Sequence, residues 1–161
     1  MSTSCFRVAE HEGQRRILAR QAILQGELIV EIQGKVSLQP MRYTVQVGES
    51  EHLESTAAED PAKQASHYDW RYLNHHCAPN AHFQGRSLIA LKDIPVGVEI
   101  TFNYNATEQQ MASPFVCWCD HLDCPEGHTV SGFAALGPAE QEALLDTCQE
   151  HIRAAYALGR A

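Results

Sequence analysis

Three cysteines fall within eight residues in the segment CWCDHLDC, where Cys117, Cys119 and Cys124 stand in a C-x-C-x4-C spacing. No other local feature limits the chain so strongly, because three thiols in one short loop must cross-link, bind a metal or be buried. The N-terminal stretch MSTSCFRVAEHEG has no apolar segment after a basic start, so it does not read as a secretory signal. No apolar run approaches the roughly 20 residues of a membrane span. The chain is therefore expected to be soluble and cytoplasmic, with no membrane partner, in a compartment where thiols stay reduced. Clustered cysteines there point to a metal rather than to a disulfide framework. Structural zinc takes four ligands in a tetrahedron. The loop supplies three, and spacing leaves the fourth open among Cys5, His76, Cys77, His121, His128 and Cys148.

The rest of the chain reads as mostly β. Its 161 residues, 44% of them hydrophobic, suffice for one core and no second full domain. RRILA, ELIVEIQG and YTVQVG are hairpin-sized runs of β-branched and aliphatic residues punctuated by Gly26, Gly34 and Gly48. Residues 49–66 are polar and broken by proline, and read as a surface insertion, partly helical or mobile. Strand character returns in AHFQGRSLIALKDIPVGVEITFNYN, with Pro95-Val96-Gly97 as a turn. From Pro138, a plausible first helical residue, Leu145, Cys148, Ile152 and Tyr156 recur at helical steps and predict one amphipathic helix. Its stripe should cover the core or meet the same helix of a second chain, giving a homodimer. A net charge of −8 argues against direct nucleic-acid binding and favours a cationic substrate.

Three motifs occur in one order: ILARQAILQGELIVEIQGKV (Ile17 to Val36), YLNHHCAPN (Tyr72 to Asn80) with LKDIPVGVEITFNYN (Leu91 to Asn105), and the cysteine loop. Together they resemble the SET-domain protein lysine methyltransferases, with their A-x-x-x-I-x-x-G-E opening, N-H-S-C-x-P-N and E-[LI]-T-x-[DN]-Y motifs and post-SET zinc loop. The likeness covers residues 14–127. It implies a mostly β, α+β fold, the β-clip of small sheets with a knot-like crossing: a SET domain over 1–112, a zinc loop over 113–130 and a helical tail over 131–161, as one structural unit.

The resemblance also implies roles. Cys77 would complete the zinc site with Cys117, Cys119 and Cys124. S-adenosylmethionine would lie against Arg16, Ile17, Asn74, His75, Tyr104, Phe115 and Trp118, though the two aromatics flanking Cys117 could instead pack the zinc loop. Tyr104 matches the catalytic tyrosine, and Phe102 with Tyr72 would wall the lysine channel; Phe102 lies two residues from Tyr104 and so on the same side of a strand. His76 replaces the usual serine and reads as a surface histidine, while Pro79 and Asn80 read as turn chemistry. The reaction expected is methyl transfer to a lysine amine of a protein or peptide, or to a small amine. A histone substrate would place the protein in a nucleus or host cell.

One departure opens a second reading. Where the family carries G-x-G, this chain has Gln14-Arg15-Arg16, with Gly13 one place too early. A local shift, other residues at the methionine end, or weakened cofactor binding are the three consequences. The last would make the chain a weak or inactive SET-type zinc module that binds a protein partner. A hydrolase using His75 and His76 is disfavoured, since adjacent residues of a strand face opposite sides and no carboxylate cluster or H-E-x-x-H accompanies them.

Overall fold

The computed structural model describes residues 4–56 and 67–159. Strands β1 (Phe6–His11) and β2 (Gln14–Ala19) form an antiparallel hairpin in which His11 faces Gln14. The two residues between them, Glu12 and Gly13, both take positive φ, 51° and 78°. That is the mirror-image turn whose twist matches a hairpin. Gly13 is thus spent on the turn. The sequence pattern did not reveal β1, because Phe6 alone of its residues is buried and no alternation results.

Small sheets make up the rest. β3 (Leu28–Glu31), β8 (Ala81–Gln84) and β9 (Ser87–Ala90) form a three-stranded sheet in the order β3-β9-β8. β4 (Lys35–Ser37), β5 (Thr44–Gln46) and β6 (His52–Glu54) form another, ordered β4-β6-β5. β6 corrects the expectation for residues 49–66: three of them form the central strand of a sheet, with His52 and Leu53 buried. A three-residue strand is too short to leave a period-2 signal. Residues 57–66 lie outside those described. The turn expected at Pro95–Gly97 is present, with Val98 N–H donating to Pro95 O at 3.2 Å. Ile17, Ile32, Leu53, Phe83, Leu88, Ile94 and Ile100 are each at most 1% exposed and form the main core. Burial of each such side chain contributes about 1.5–3 kcal/mol before chain entropy is counted.

Two further pairings shape the site. β7 (Asn74–His75) runs parallel to β10 (Thr101–Phe102), and β11 (Phe115–Val116) pairs with β12 (Thr129–Val130) around the cysteine loop. A parallel pair needs a long crossover, supplied here by the β8–β9 hairpin and the chain that follows it.

The tail is two helices, not one. α1 (Pro138–Leu144) and α2 (Glu150–Ala157) are separated by a short 3-10 turn and by Cys148 and Gln149 in extended backbone. Gln149 explains the break. Its side chain grips the β8–β9 turn at two points, accepting from Gly85 N–H and donating to Gly85 O, each at 2.8 Å. A continuous helix could not also place Gln149 N–H on Ala106 O, at 2.8 Å. Pro138 does open the first helix, with Glu140 accepting from Gly137 N–H at 2.9 Å. Cys148 and Ile152 are buried against Ala106 and Phe133, with Leu145 and Tyr156 packed alongside, so the apolar stripe is covered by its own chain. No helix among the described residues is long and apolar enough to cross a membrane.

Candidate active site

The parallel register sets Asn74 beside Thr101 and His75 beside Phe102. Asn80, expected only as turn chemistry, is buried and locks this register. It donates from Nδ2 to Glu99 O at 2.8 Å, and its Oδ1 accepts from Thr101 N–H at 2.9 Å. Beyond β10 the chain tightens into a 3-10 turn at Tyr104–Ala106, capped by Asn103 Oδ1 accepting from Asn105 N–H at 3.0 Å.

Tyr104 is held from both ends. Its N–H donates to His75 Nδ1 at 3.1 Å, and its hydroxyl donates to the backbone carbonyl of Leu73 at 2.6 Å. Burial, reinforced by the negative charges of Glu99 and Glu108, holds the phenol pKa well above its ordinary value, so the hydroxyl is neutral at physiological pH. Its single proton is committed to Leu73, which leaves the oxygen lone pairs as acceptors. His75 accepts at Nδ1, which assigns its proton to Nε2, 3.3 Å from Cys77 Sγ. Burial, then the neighbouring imidazoles of His76 and His128, press its pKa down to about 3, so it is a neutral ring.

A cleft opens beside Tyr104, walled by Phe102, Tyr104, Trp70, Leu73 and Val45, with Arg42, Tyr43 and Arg71 among its other lining residues. Phe102 does double duty, since it also meets the core ring of Phe83 edge-on at 5.0 Å. Tyr72 does not line this cleft: its hydroxyl accepts from Arg15 Nη1 at 2.7 Å on the β2 side. Phe115 does reach the site, with its ring 5.8 Å from both His75 and Tyr104. Trp118 stands 89% exposed and joins none of the ring pairs among the described residues.

Ile17 contributes backbone, its carbonyl accepting from Ile100 N–H at 2.8 Å, while its side chain is core. Arg16 lies nearer the site, with Nη1 3.7 Å from Glu99 Oε2 and Nε buried without a partner among the described residues. Glu99 also accepts from Asn74 Nδ2 at 2.7 Å. A cation, a carboxylate and an amide thus converge where the G-x-G glycines are missing. Sequence reasoning passed over Glu99 because its partners are 25 and 83 residues away.

The four cysteines of the sequence analysis come together. Their Sγ atoms all lie within 4.8 Å of one another, with Cys77 3.7 Å from Cys117 and 3.6 Å from Cys124. Cys77 is the fourth member of this cluster, while Cys148 is buried within the tail and Cys5 bonds to Ile29 O. His76 is not idle: Nε2 meets Asp120 Oδ1 at 2.9 Å and so ties the β7 turn to the cysteine loop.

Glu108, near the cleft, is an acid that the motifs did not flag. It is 6% exposed, accepts from Gln46 N–H at 2.7 Å and Thr107 Oγ1 at 3.2 Å, and is pushed up to about 7 by burial. His52 Nδ1 lies 3.9 Å away, and burial lowers its own pKa. The folded state therefore holds this proton more tightly than the unfolded chain does. Stability from this group is full below the unfolded carboxyl pKa of about 4.3 and is lost as pH rises to about 7. Glu108→Gln is expected to flatten that decline and to stabilise the protein above pH 7 by roughly 3 kcal/mol at most. Urea unfolding at pH 5 and pH 8 checks it; an unchanged difference between the two pH values refutes the assignment.

The SET domain profile matches residues 14–105, from β2 through the turn that carries Tyr104. The chain belongs to the SET domain family. This SET domain is 38% identical over 79 residues to the mouse and human histone-lysine N-methyltransferases specific for H3 lysine 36, a stretch that is 44% of this chain and 3% of theirs. It is also 38% identical over 60 residues to methyltransferase flvH of Aspergillus flavus, 35% of this chain and 34% of that one. The SET domain therefore spans a small part of the H3 lysine 36 enzymes and about a third of flvH. Among solved structures, KRYPTONITE in complex with mCHG DNA and SAH superposes with a TM-score of 0.52 at 18% identity, over 73% of this chain and 27% of that one. That likeness concerns the fold: small, mostly antiparallel sheets with few helices.

Proposed function

We propose that this SET domain transfers a methyl group from S-adenosylmethionine to the side-chain amine of a protein lysine. The observation that carries the reading is the placement of the Tyr104 hydroxyl. It is buried, bonded to Leu73 O at 2.6 Å, and set on the wall of an aromatic cleft with its lone pairs unspent. Methyltransferase relatives and an SAH-bound structural neighbour support the same direction.

Bound S-adenosylmethionine supplies an electrophilic methyl on a sulfonium. The donor set by β2 fits its amino-acid end: the Arg16 guanidinium, whose Nε has no partner among the described residues, suits a carboxylate, and Glu99 with Asn74 suits an ammonium. His75 and Phe115, packed edge to face with centroids 5.8 Å apart, would add aromatic contact. Phe102, Trp70 and Leu73 keep water from a lysine side chain in the cleft, and desolvation lowers the amine's pKa from about 10.4 towards neutrality. Tyr104 Oη and Leu73 O then orient the amine lone pair. Tyr104 stays neutral throughout, so it positions the amine and does not take its proton.

The cysteine cluster fits zinc. Four ligands at about 2.3 Å in a tetrahedron are spaced about 3.8 Å apart, close to the 3.6 and 3.7 Å seen at Cys77. The His75 Nε2–H that points at Cys77 Sγ is the kind of partner that steadies a metal thiolate. Zinc here would pin the 113–130 loop, and with it Phe115, against Tyr104.

Phe102 offers no hydroxyl to anchor an amine. The wild-type product is therefore expected to reach di- or trimethyl-lysine, and Phe102→Tyr to shift it towards monomethyl-lysine several-fold, since about 1 kcal/mol of added hydrogen bonding suffices. Mass spectrometry of one peptide substrate reads the ratio; a wild type that stops at one methyl, or an unchanged ratio, removes Phe102 from this role. The whole reading is tested by incubating the protein with labelled S-adenosylmethionine and candidate proteins, then locating the label. Absence of both transfer and cofactor binding by calorimetry would leave the inactive zinc module.

A further inference from the structure

The chain as a whole is acidic, yet its cleft is not. Of the residues that line it, Arg42 and Arg71 are cationic and Glu108 is the sole acid among those described. Glu108 is turned inward onto Gln46 N–H and Thr107 Oγ1, buried beneath the surface that a substrate would meet. The two arginines make no ion pair among the described residues.

They are also held in place. Arg71 lies over two rings, 5.2 Å from the centroid of Tyr43 and 5.6 Å from that of Tyr72. Arg42 lies 5.4 Å from Tyr43, and Arg15 5.1 Å from Tyr72. Arg42 and Arg71 thus lie against phenol rings at the cleft mouth, where Met41, Arg42 and Tyr43 are exposed, while Arg15 fixes Tyr72 from the far side by donating to its hydroxyl at 2.7 Å. Stacking uses the faces of a guanidinium and leaves its edge N–H donors free. Those edges match a carboxylate in bidentate geometry, and pre-ordering the side chain lowers the entropy lost on binding.

Resting on the methyl-transfer reading above, we infer that the substrate segment carries acidic side chains within a few residues of its target lysine, which Arg42 and Arg71 receive at the cleft mouth. A lysine- and arginine-dense tail would meet like charge there. This reverses the expectation from net charge alone, because the −8 is spread over the whole molecule whereas recognition depends on charges within about one Debye length of the bound segment.

The test uses the full chain purified with zinc and SAH, and fluorescein-labelled peptides of equal length with one central lysine and acidic, neutral or basic flanks. Fluorescence anisotropy at low salt is expected to rank acidic above basic by about fivefold or more, with the gap closing in high salt. The Arg42→Glu, Arg71→Glu protein is expected to reverse the ranking, and its gain on the basic peptide separates a charge effect from misfolding. Equal affinities, a preference for the basic peptide, no peptide binding, or displacement of the acidic peptide by a mixed-sequence DNA duplex would each overturn the inference. Methyl transfer is scored separately on the same peptides. Acidic-selective binding without transfer upholds this inference and counts against the proposed activity; transfer to basic-flanked peptides at least as fast does the reverse.

Discussion

Tyr104→Phe is expected to lower methyl transfer by about two orders of magnitude or more, on the scale seen when one preorganised polar contact is removed from a reacting centre, while changing S-adenosylmethionine affinity by only a few fold. The variant keeps the ring and therefore its edge contacts with His75 and Phe115. It loses the oxygen that orients the amine, and it leaves the Leu73 carbonyl without its donor. The effect should fall on kcat more than on KM, because the lost contact matters most when the lone pair must align with the methyl. The wild-type pH profile should show no step from Tyr104, since burial keeps its hydroxyl protonated across the working range. Single-turnover kinetics with calorimetry of cofactor binding separates the two quantities. Transfer at the wild-type rate would remove Tyr104 from the chemistry.

Cys77→Ser is expected to weaken zinc retention by on the order of a hundredfold against a chelator, because a tetrahedral site that loses a thiolate loses one of its four bonds. Cys77 is the one cysteine of the cluster outside the loop, so its loss should uncouple the loop from β7 even if three thiolates still hold metal. Transfer should fall with it, since Phe115 no longer has a fixed loop to carry it to Tyr104. Cys5→Ser and Cys148→Ser serve as comparisons and should keep one zinc per chain, because neither sulfur belongs to the cluster. Metal analysis after dialysis against a chelator decides the matter. Full occupancy in the Cys77 variant would assign the fourth ligand elsewhere.

What was legible in the sequence was local or motif-borne. The C-x-C-x4-C loop announces three ligands by spacing alone, and the turn at Pro95–Gly97 follows from the φ preferences of its residues. The N-H-H-C and E-I-T-F-N-Y motifs named Cys77 and Tyr104 by resemblance. β1 and β6 were not visible: one buries a single side chain, and the other is three residues long. The long single helix failed for the opposite reason. Its apolar period was real, but period reports which side chains are buried and not whether the backbone between them stays helical. Gln149 makes three hydrogen bonds, to Gly85 and Ala106, that a continuous helix would forgo.

By itself, then, the sequence determined the family, a mostly β architecture, three loop cysteines that need a fourth partner, and a tyrosine at the end of a strand. Those properties depend on residues close in the chain, where spacing and backbone preference act directly. Tertiary structure alone decided that Arg16, Glu99 and Asn74 gather where glycines are missing, that Tyr72 faces Arg15 instead of the cleft, and that an acidic protein presents a cationic mouth. Each of these depends on the crossing that lays β7 along β10 and on the sheets packed around it. Side chains remote in sequence meet only when that backbone closes, and no periodicity encodes which of them will.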